Sequence, residues 1–126
     1  MSFFSCKSVR LRAAALVVQD GKILLIEHQK DGRKYWLLPG GGVDFGETAS
    51  SALEREMMEE LNLQVSVDDL VFSSDSIDPS GKRHIFNLYF ACRITGGSIA
   101  VGDDPRLSGY GFFPAAQMPS LTIFPP

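Results

Sequence analysis

The run from Ala49 to Leu61 constrains the fold more than any other part of the chain. It holds neither Pro nor Gly and is rich in Ala, Leu, Met, Glu and Arg, the residues that lose least on entering a helix. Thr48 stands before it as an N-cap, and Asn62 after it tolerates the left-handed conformation that ends helices. Elsewhere turn formers interrupt the chain at short intervals, and strands dominate the segments between them. One strong helix among many strands predicts an α+β protein or a mixed-sheet α/β sandwich.

The strand signals are short and apolar. Ala13 to Val18 and Lys22 to Glu27 flank Asp20-Gly21, a pair suited to the positive φ angles of a tight hairpin turn. Trp36 to Leu38 reads as a strand stopped by Pro39, and Lys30, Arg33 and Lys34 read as a loop before it. Gly40-Gly41-Gly42 predicts a loop free of Cβ atoms, where backbone can approach a ligand closely. Leu63 to Ser66, Leu70 to Ser73, Ile85 to Ile94 and Gly109 to Phe113 read as strands, and Pro114 to Met118 as a short helix. No repeat or linker divides the 126 residues, so a single domain over 1–126 is expected.

The helix carries its acids on an unusual side. With Glu56 at zero and about 100° per residue, Ala49 falls near 20°, Glu60 near 40°, Leu53 near 60° and Met57 near 100°. Ala52 falls near −40° and Glu59 near −60°. A solvated acidic stripe would lie opposite Leu53 and Met57, but here the carboxylates sit among the apolar residues or on their edge. Carboxylates crowded at that spacing and partly buried repel one another unless a positive group compensates. Hard oxygen donors without His or Cys at ligand spacing suit Mg2+ or Mn2+ and disfavour zinc.

Composition excludes several classes. A net charge of −3 is a poor match for long nucleic acid, whose backbone is held by clustered Lys and Arg. Cys6 and Cys92 stand far apart with no metal or disulfide spacing, and read as thiols of a reducing compartment. No secretory leader and no stretch near the ~20 apolar residues of a membrane span is apparent, so a cytoplasmic location without membrane contact is expected.

From Gly41 the chain runs through Glu47 to Arg55-Glu56-Met57-Met58-Glu59-Glu60-Leu61-Asn62-Leu63. This resembles the box of the Nudix hydrolases over residues 41–63, with Asn62 in place of the family's last Gly. Asp20-Gly21, Trp36-Leu37-Leu38-Pro39-Gly40-Gly41 and Gly111-Phe112-Phe113-Pro114 are similar to family usage as well. The resemblance implies the Nudix fold, a mixed β-sheet flanked by helices in an α/β/α sandwich, and a pyrophosphohydrolase using Mg2+ or Mn2+ on a nucleoside diphosphate linked to another moiety. It implies Glu56 and Glu60 as principal metal ligands with the Gly40 carbonyl, Glu59 as a metal ligand or water activator, and Arg55 as the partner that orients Glu47. The general base is either Glu59 or an acid of a later loop, Asp75, Asp103 or Asp104.

Substrate contacts are expected from Arg33, Trp36, Gly41 and Phe45: the arginine for phosphate, the aromatic rings for stacking on a base, the glycine for close approach. Trp36 is equally suited to core packing. Pro79, sixteen residues past Leu63, resembles the spacing in members that act on ADP-ribose and nucleotide sugars. That substrate class is preferred. Alternatives are an oxidised or ordinary nucleoside triphosphate, a dinucleoside polyphosphate, capped RNA ends, or a catalytically silent nucleotide-binding module. A homodimer is a further expectation, since a partner subunit could complete the pocket.

Overall fold

The computed structural model describes residues 8–120. Two Asp-Gly turns shape its first half. Asp20 and Gly21 have φ of 51° and 73°, and Asp31 and Gly32 have 54° and 77°, the paired left-handed conformations of a tight hairpin. The first turn joins β1 (Arg10–Gln19) to β2 (Lys22–Lys30), as expected. The second joins β2 to β3 (Arg33–Leu37), with Lys30 opposite Arg33. The segment read as a loop before Trp36 is thus a hairpin, and Arg33 and Lys34 are strand residues.

β4 (Gly40–Gly42) follows, then α1 (Ala49–Leu61), β5 (Leu63–Ile77), β6 (His84–Gly97) and β7 (Leu107–Pro114), with a 3-10 turn over Ala115–Ser120. The glycine triplet forms a short strand where a loop was expected, because β1 offers it a free edge: Ala14 lies opposite Gly40 and Arg12 opposite Gly42. The two runs expected between residues 63 and 73 are one strand, bent where its register to β6 shifts.

β1 and β2 pair only at Val18–Ile23 and Gln19–Lys22 before parting. β1 then lies between β4, antiparallel, and β6, parallel, while β5 completes that sheet on the far side of β6. β2 lies between β3 and β7, both antiparallel. The sheet is therefore mixed, and the α+β class holds. Helical covering among the described residues consists of α1 and the 3-10 turn; Pro114, expected to open a helix, closes β7.

α1 buries Ala52, Leu53, Met57 and Leu61 against Ala13, Ala15 and Val17 of β1, Leu63 and Val65 of β5 and Cys92 of β6. Each large apolar side chain so buried contributes roughly 1.5–3 kcal/mol. The Thr48 hydroxyl accepts from the Ser51 N–H at 3.0 Å. Asn62, at φ 56°, donates its N–H to the carbonyls of Met57 and Met58, and its side chain donates to Ser98 O at 3.0 Å. Ala100 and Gly102 donate backbone N–H to the Leu61 and Glu60 carbonyls, which fixes the loop before β7 on the C-terminal end of α1. No helix of the described residues is long and apolar enough to cross a membrane.

Candidate active site

The glycines of β4 are where strand and helix meet. Gly40 has φ 153°, and a Cβ there would strike the carbonyl of Ala13. Its N–H donates to Glu60 Oε1 at 2.9 Å. A Cβ on Gly41 would lie 2.6 Å from each carboxylate oxygen of Glu56. Glu56 therefore occupies space that only glycine leaves open, and Glu60 is held by the N–H of a glycine that the β1 backbone leaves no room to replace. Both are partly buried beside buried Leu53 and Met57, whereas Glu59, expected on the edge of the same face, is exposed.

Arg55 ties the group together. Nε and Nη2 donate to Glu47 Oε2 and Oε1 at 2.9 and 2.8 Å, a two-toothed pair. Nη1 donates to Glu56 Oε1 at 2.9 Å and Glu59 Oε2 at 3.4 Å, and Nη2 to Gly42 O at 3.2 Å. Glu47 also accepts from the Asp44 N–H at 3.0 Å. Bonds from Arg55, then from Asp44, hold the Glu47 carboxyl down at about 2. Burial instead pushes Glu60 up to about 7, opposed by the Gly40 N–H and reinforced by the charge of Glu56. Burial raises Glu56 as well, against the bond from Arg55.

These residues suit a hard divalent cation in chemistry. Glu56 and Glu60 are carboxylates whose burial penalises their charge, the state a bound cation relieves, and the backbone beside them lacks Cβ atoms. They are not drawn around one point: Glu60 faces the Gly40 N–H, and Glu56 and Glu59 hold Arg55. Among the described residues no three His, Cys, Asp or Glu side chains are gathered closely enough to hold an ion.

Of the later-loop acids, Asp103 and Asp104 lie next to Gly102, whose N–H is bound to Glu60 O at 2.9 Å. Asp104 is paired with Arg106, Nη2 to Oδ2 at 2.7 Å, and is held at about 2 by it. Asp75 is elsewhere, bound to His84 at 2.8 Å near the β5–β6 turn. The expected substrate residues scatter. Gly41 lies against Glu56, but Phe45 is fully exposed on the loop before α1, and Arg33 is exposed beside the β2–β3 turn. Trp36 packs edge-on against Phe113 of β7, with ring centroids 4.8 Å apart, which favours the packing alternative.

Sequence reading missed Arg12. Arg12 reaches from β1 to donate Nη2 to Leu38 O at 2.8 Å. Burial lowers its pKa, opposed by Glu60, Tyr89 and Glu56. A basic residue at the start of a strand looks solvent-bound in sequence; the signal was the glycine triplet that would pair alongside it. His28 stacks on Tyr35 with centroids 5.6 Å apart, and burial lowers its pKa, helped by Arg12 and Arg106.

A mixed sheet thus sets a glycine strand beside an acidic helix whose arginine is clamped to an upstream glutamate. The NUDIX domain matches residues 9–125, and the chain belongs to the Nudix family. It is 37% identical over 111 residues to the ADP-ribose pyrophosphatase of Methanocaldococcus jannaschii, a match covering 86% of this chain and 63% of that protein. It is 40% identical over 62 residues to the CTP pyrophosphohydrolase of Escherichia coli, covering 48% and 46%. The chain thus spans less than two thirds of these relatives' lengths. The crystal structure of a MutT NUDIX hydrolase from Burkholderia pseudomallei superposes with a TM-score of 0.78 at 30% identity, covering 85% of this chain and 84% of that one.

Proposed function

We propose that this chain is a pyrophosphohydrolase that splits a phosphate anhydride in a nucleoside diphosphate linked to another moiety, with ADP-ribose or a nucleotide sugar as substrate and Mg2+ or Mn2+ as cofactor. One observation carries the reading: Glu56 and Glu60, both with carboxyl pKa values raised by burial, lie against backbone that only glycine permits. A silent binding module has no use for so costly an arrangement.

Glu56 and Glu60, with the Gly40 carbonyl, are the residues to hold the cation. When bound, it supplies charge neutralisation at the diphosphate and lowers the pKa of the attacking water. The chain's own residues set the geometry. Arg55 bonds Glu47 and Glu56 together and so ties the loop of residues 43–48 to the helix. Glu59 is exposed, and among the described residues its carboxylate is bonded to the edge of the Arg55 fork, at 3.4 Å, which leaves it free to turn towards water as the base. Asp103 and Asp104 are the competing candidates, because their loop is anchored on Glu60 O.

The substrate preference is supported by the relative named ADP-ribose pyrophosphatase, whose match spans most of this chain. The test is a screen of ADP-ribose, nucleotide sugars, nucleoside triphosphates and dinucleoside polyphosphates with Mg2+, reading products by mass. Release of AMP from ADP-ribose, lost in excess EDTA, is the expected result. Full turnover in EDTA, or no cleavage of any diphosphate, refutes the proposal.

A further inference from the structure

Hydrolysis of a diphosphate needs a cation for the substrate's own charge as well as one for the carboxylates, and the chain's arginines are unevenly free to give it. Arg55 is saturated by Glu47, Glu56, Glu59 and the Gly42 carbonyl. Arg93 is bound to Asp68, and Arg106 to Asp104. Arg10, Arg33 and Arg83 are not held near the acids by any described bond. Arg12 differs from all of these. It is partly buried, yet among the described residues its five N–H donors meet one hydrogen-bond acceptor, Leu38 O at 2.8 Å, and no carboxylate lies within 4.0 Å of it.

Its place in the sheet brings it to the acids. Arg12 lies opposite Gly42 in β4 and beside Asn87 in β6; two residues on, Ala14 lies opposite Gly40, whose N–H holds Glu60. Leu38, which receives the guanidinium, is two residues before Gly40. Glu60 and Glu56 act on the guanidinium electrostatically without touching it. Opposite charges held apart in a partly dry site are satisfied by a group that is negative toward one and bridged by a cation to the other, and a phosphate beside a metal is such a group. No buried side-chain nitrogen or oxygen of the described residues is left without a bond, so the remaining Arg12 nitrogens are open to solvent or ligand.

We propose that Arg12 is the anion anchor of this site, donating from its planar fork to a phosphate oxygen of the diphosphate presented at Glu56, Glu60 and Gly40. The proposal rests on the hydrolase reading, deepens it with a positioning residue, and has a test that does not require turnover. ADP serves as probe, with adenosine as the uncharged control, in Mg2+. Titrating ADP into 15N-labelled protein is expected to shift the Arg12 Nε–H resonance, and adenosine is not. Calorimetry is expected to show ADP affinity reduced about tenfold or more in Arg12→Gln, the usual scale for losing a charge-assisted hydrogen bond, with part recovered in Arg12→Lys. Where the substrate screen yields an activity, KM rises by a similar factor while kcat changes less.

An Arg12 resonance indifferent to ADP, or ADP affinity unchanged in both variants, overturns the anchor even if the enzyme is an active hydrolase. A shift and a loss of affinity in a chain that cleaves nothing uphold the anchor and refute the hydrolase. Should Arg12→Gln fail to fold, Arg12→Lys and the wild-type resonance decide alone, because lysine keeps the charge while losing the fork.

Discussion

Replacing Glu60 by Gln separates stability from chemistry in this site. Glutamine keeps the side chain's size and an oxygen for the Gly40 N–H, and removes only a charge that burial resists. In the wild-type chain the carboxyl is pushed from 4.5 to about 7. Between those values the folded state keeps a proton that the unfolded chain has released. Stability of the metal-free protein therefore falls as pH rises from 4.5 to about 7, is fully reduced above that, and is undiminished by this group below 4.5. At about 1.36 kcal/mol per unit the upper figure is about 3 kcal/mol; relaxation and partial solvent access reduce it to about 1–2 kcal/mol. In EDTA at pH 9, Glu60→Gln is accordingly expected to be more stable than wild type by about 1–2 kcal/mol. At pH 4 the two should agree within about 0.5 kcal/mol. Urea unfolding followed by Trp36 fluorescence measures this as a midpoint difference of roughly 0.5–1 M. Added Mg2+ should reverse the order, because binding stabilises only the chain with the intact carboxylate. A variant less stable than wild type at pH 9, or a difference that does not change with pH, would falsify the account of Glu60 as a carboxylate held against its own burial.

Two further outcomes follow from the backbone. Gly41→Ala places a methyl group against the Glu56 carboxyl. It should abolish activity in the ADP-ribose assay while costing the fold only about 1–3 kcal/mol by thermal melting, the range for inserting a methyl into packed surroundings; retained activity argues against Glu56 as a ligand. Asn62→Ala forces a Cβ without a local hydrogen bond into φ 56° and removes the bond to Ser98 O. It should cost about 1–2 kcal/mol, whereas Asn62→Gly trades relief at φ for the lost bond and should stay within about 0.5 kcal/mol; equal effects of the two would discount the left-handed cap.

The helix was legible to its ends because local chemistry decides it: Thr48, Asn62 and the run between them act within a few residues of one another. The inward lean of Glu56 and Glu60 was legible for the same reason, since helical periodicity alone places them beside Leu53 and Met57. Glu59 was not: a residue near the boundary of a face is turned outward or inward by what packs there, and Glu59 is exposed, held by the long bond from Arg55. The β2–β3 hairpin escaped because Lys30, Arg33 and Lys34 carry charge, which masks a turn identical in kind to Asp20-Gly21. β4 and Arg12 escaped together, because each depends on a partner strand far off in sequence. Single-residue reading saw a glycine loop and a surface arginine, where pairing makes an edge and a partly buried cation.

The parallel pairing of β1 with β6 sets Arg10 against Ile85 and Val17 against Cys92, so β1 cannot close that edge until most of the chain exists. The glycine strand needs less of the chain, because Gly40 finds Ala14 nearby, whereas α1 also packs on Leu63 and Val65 of β5 and Cys92 of β6. During synthesis the glycine strand can therefore pair with β1 while the second edge of β1 still lies bare, and an unpaired edge invites intermolecular pairing. Both that edge and the apolar face of α1 wait for β6, so the interval before it emerges is when this chain is most exposed to aggregation.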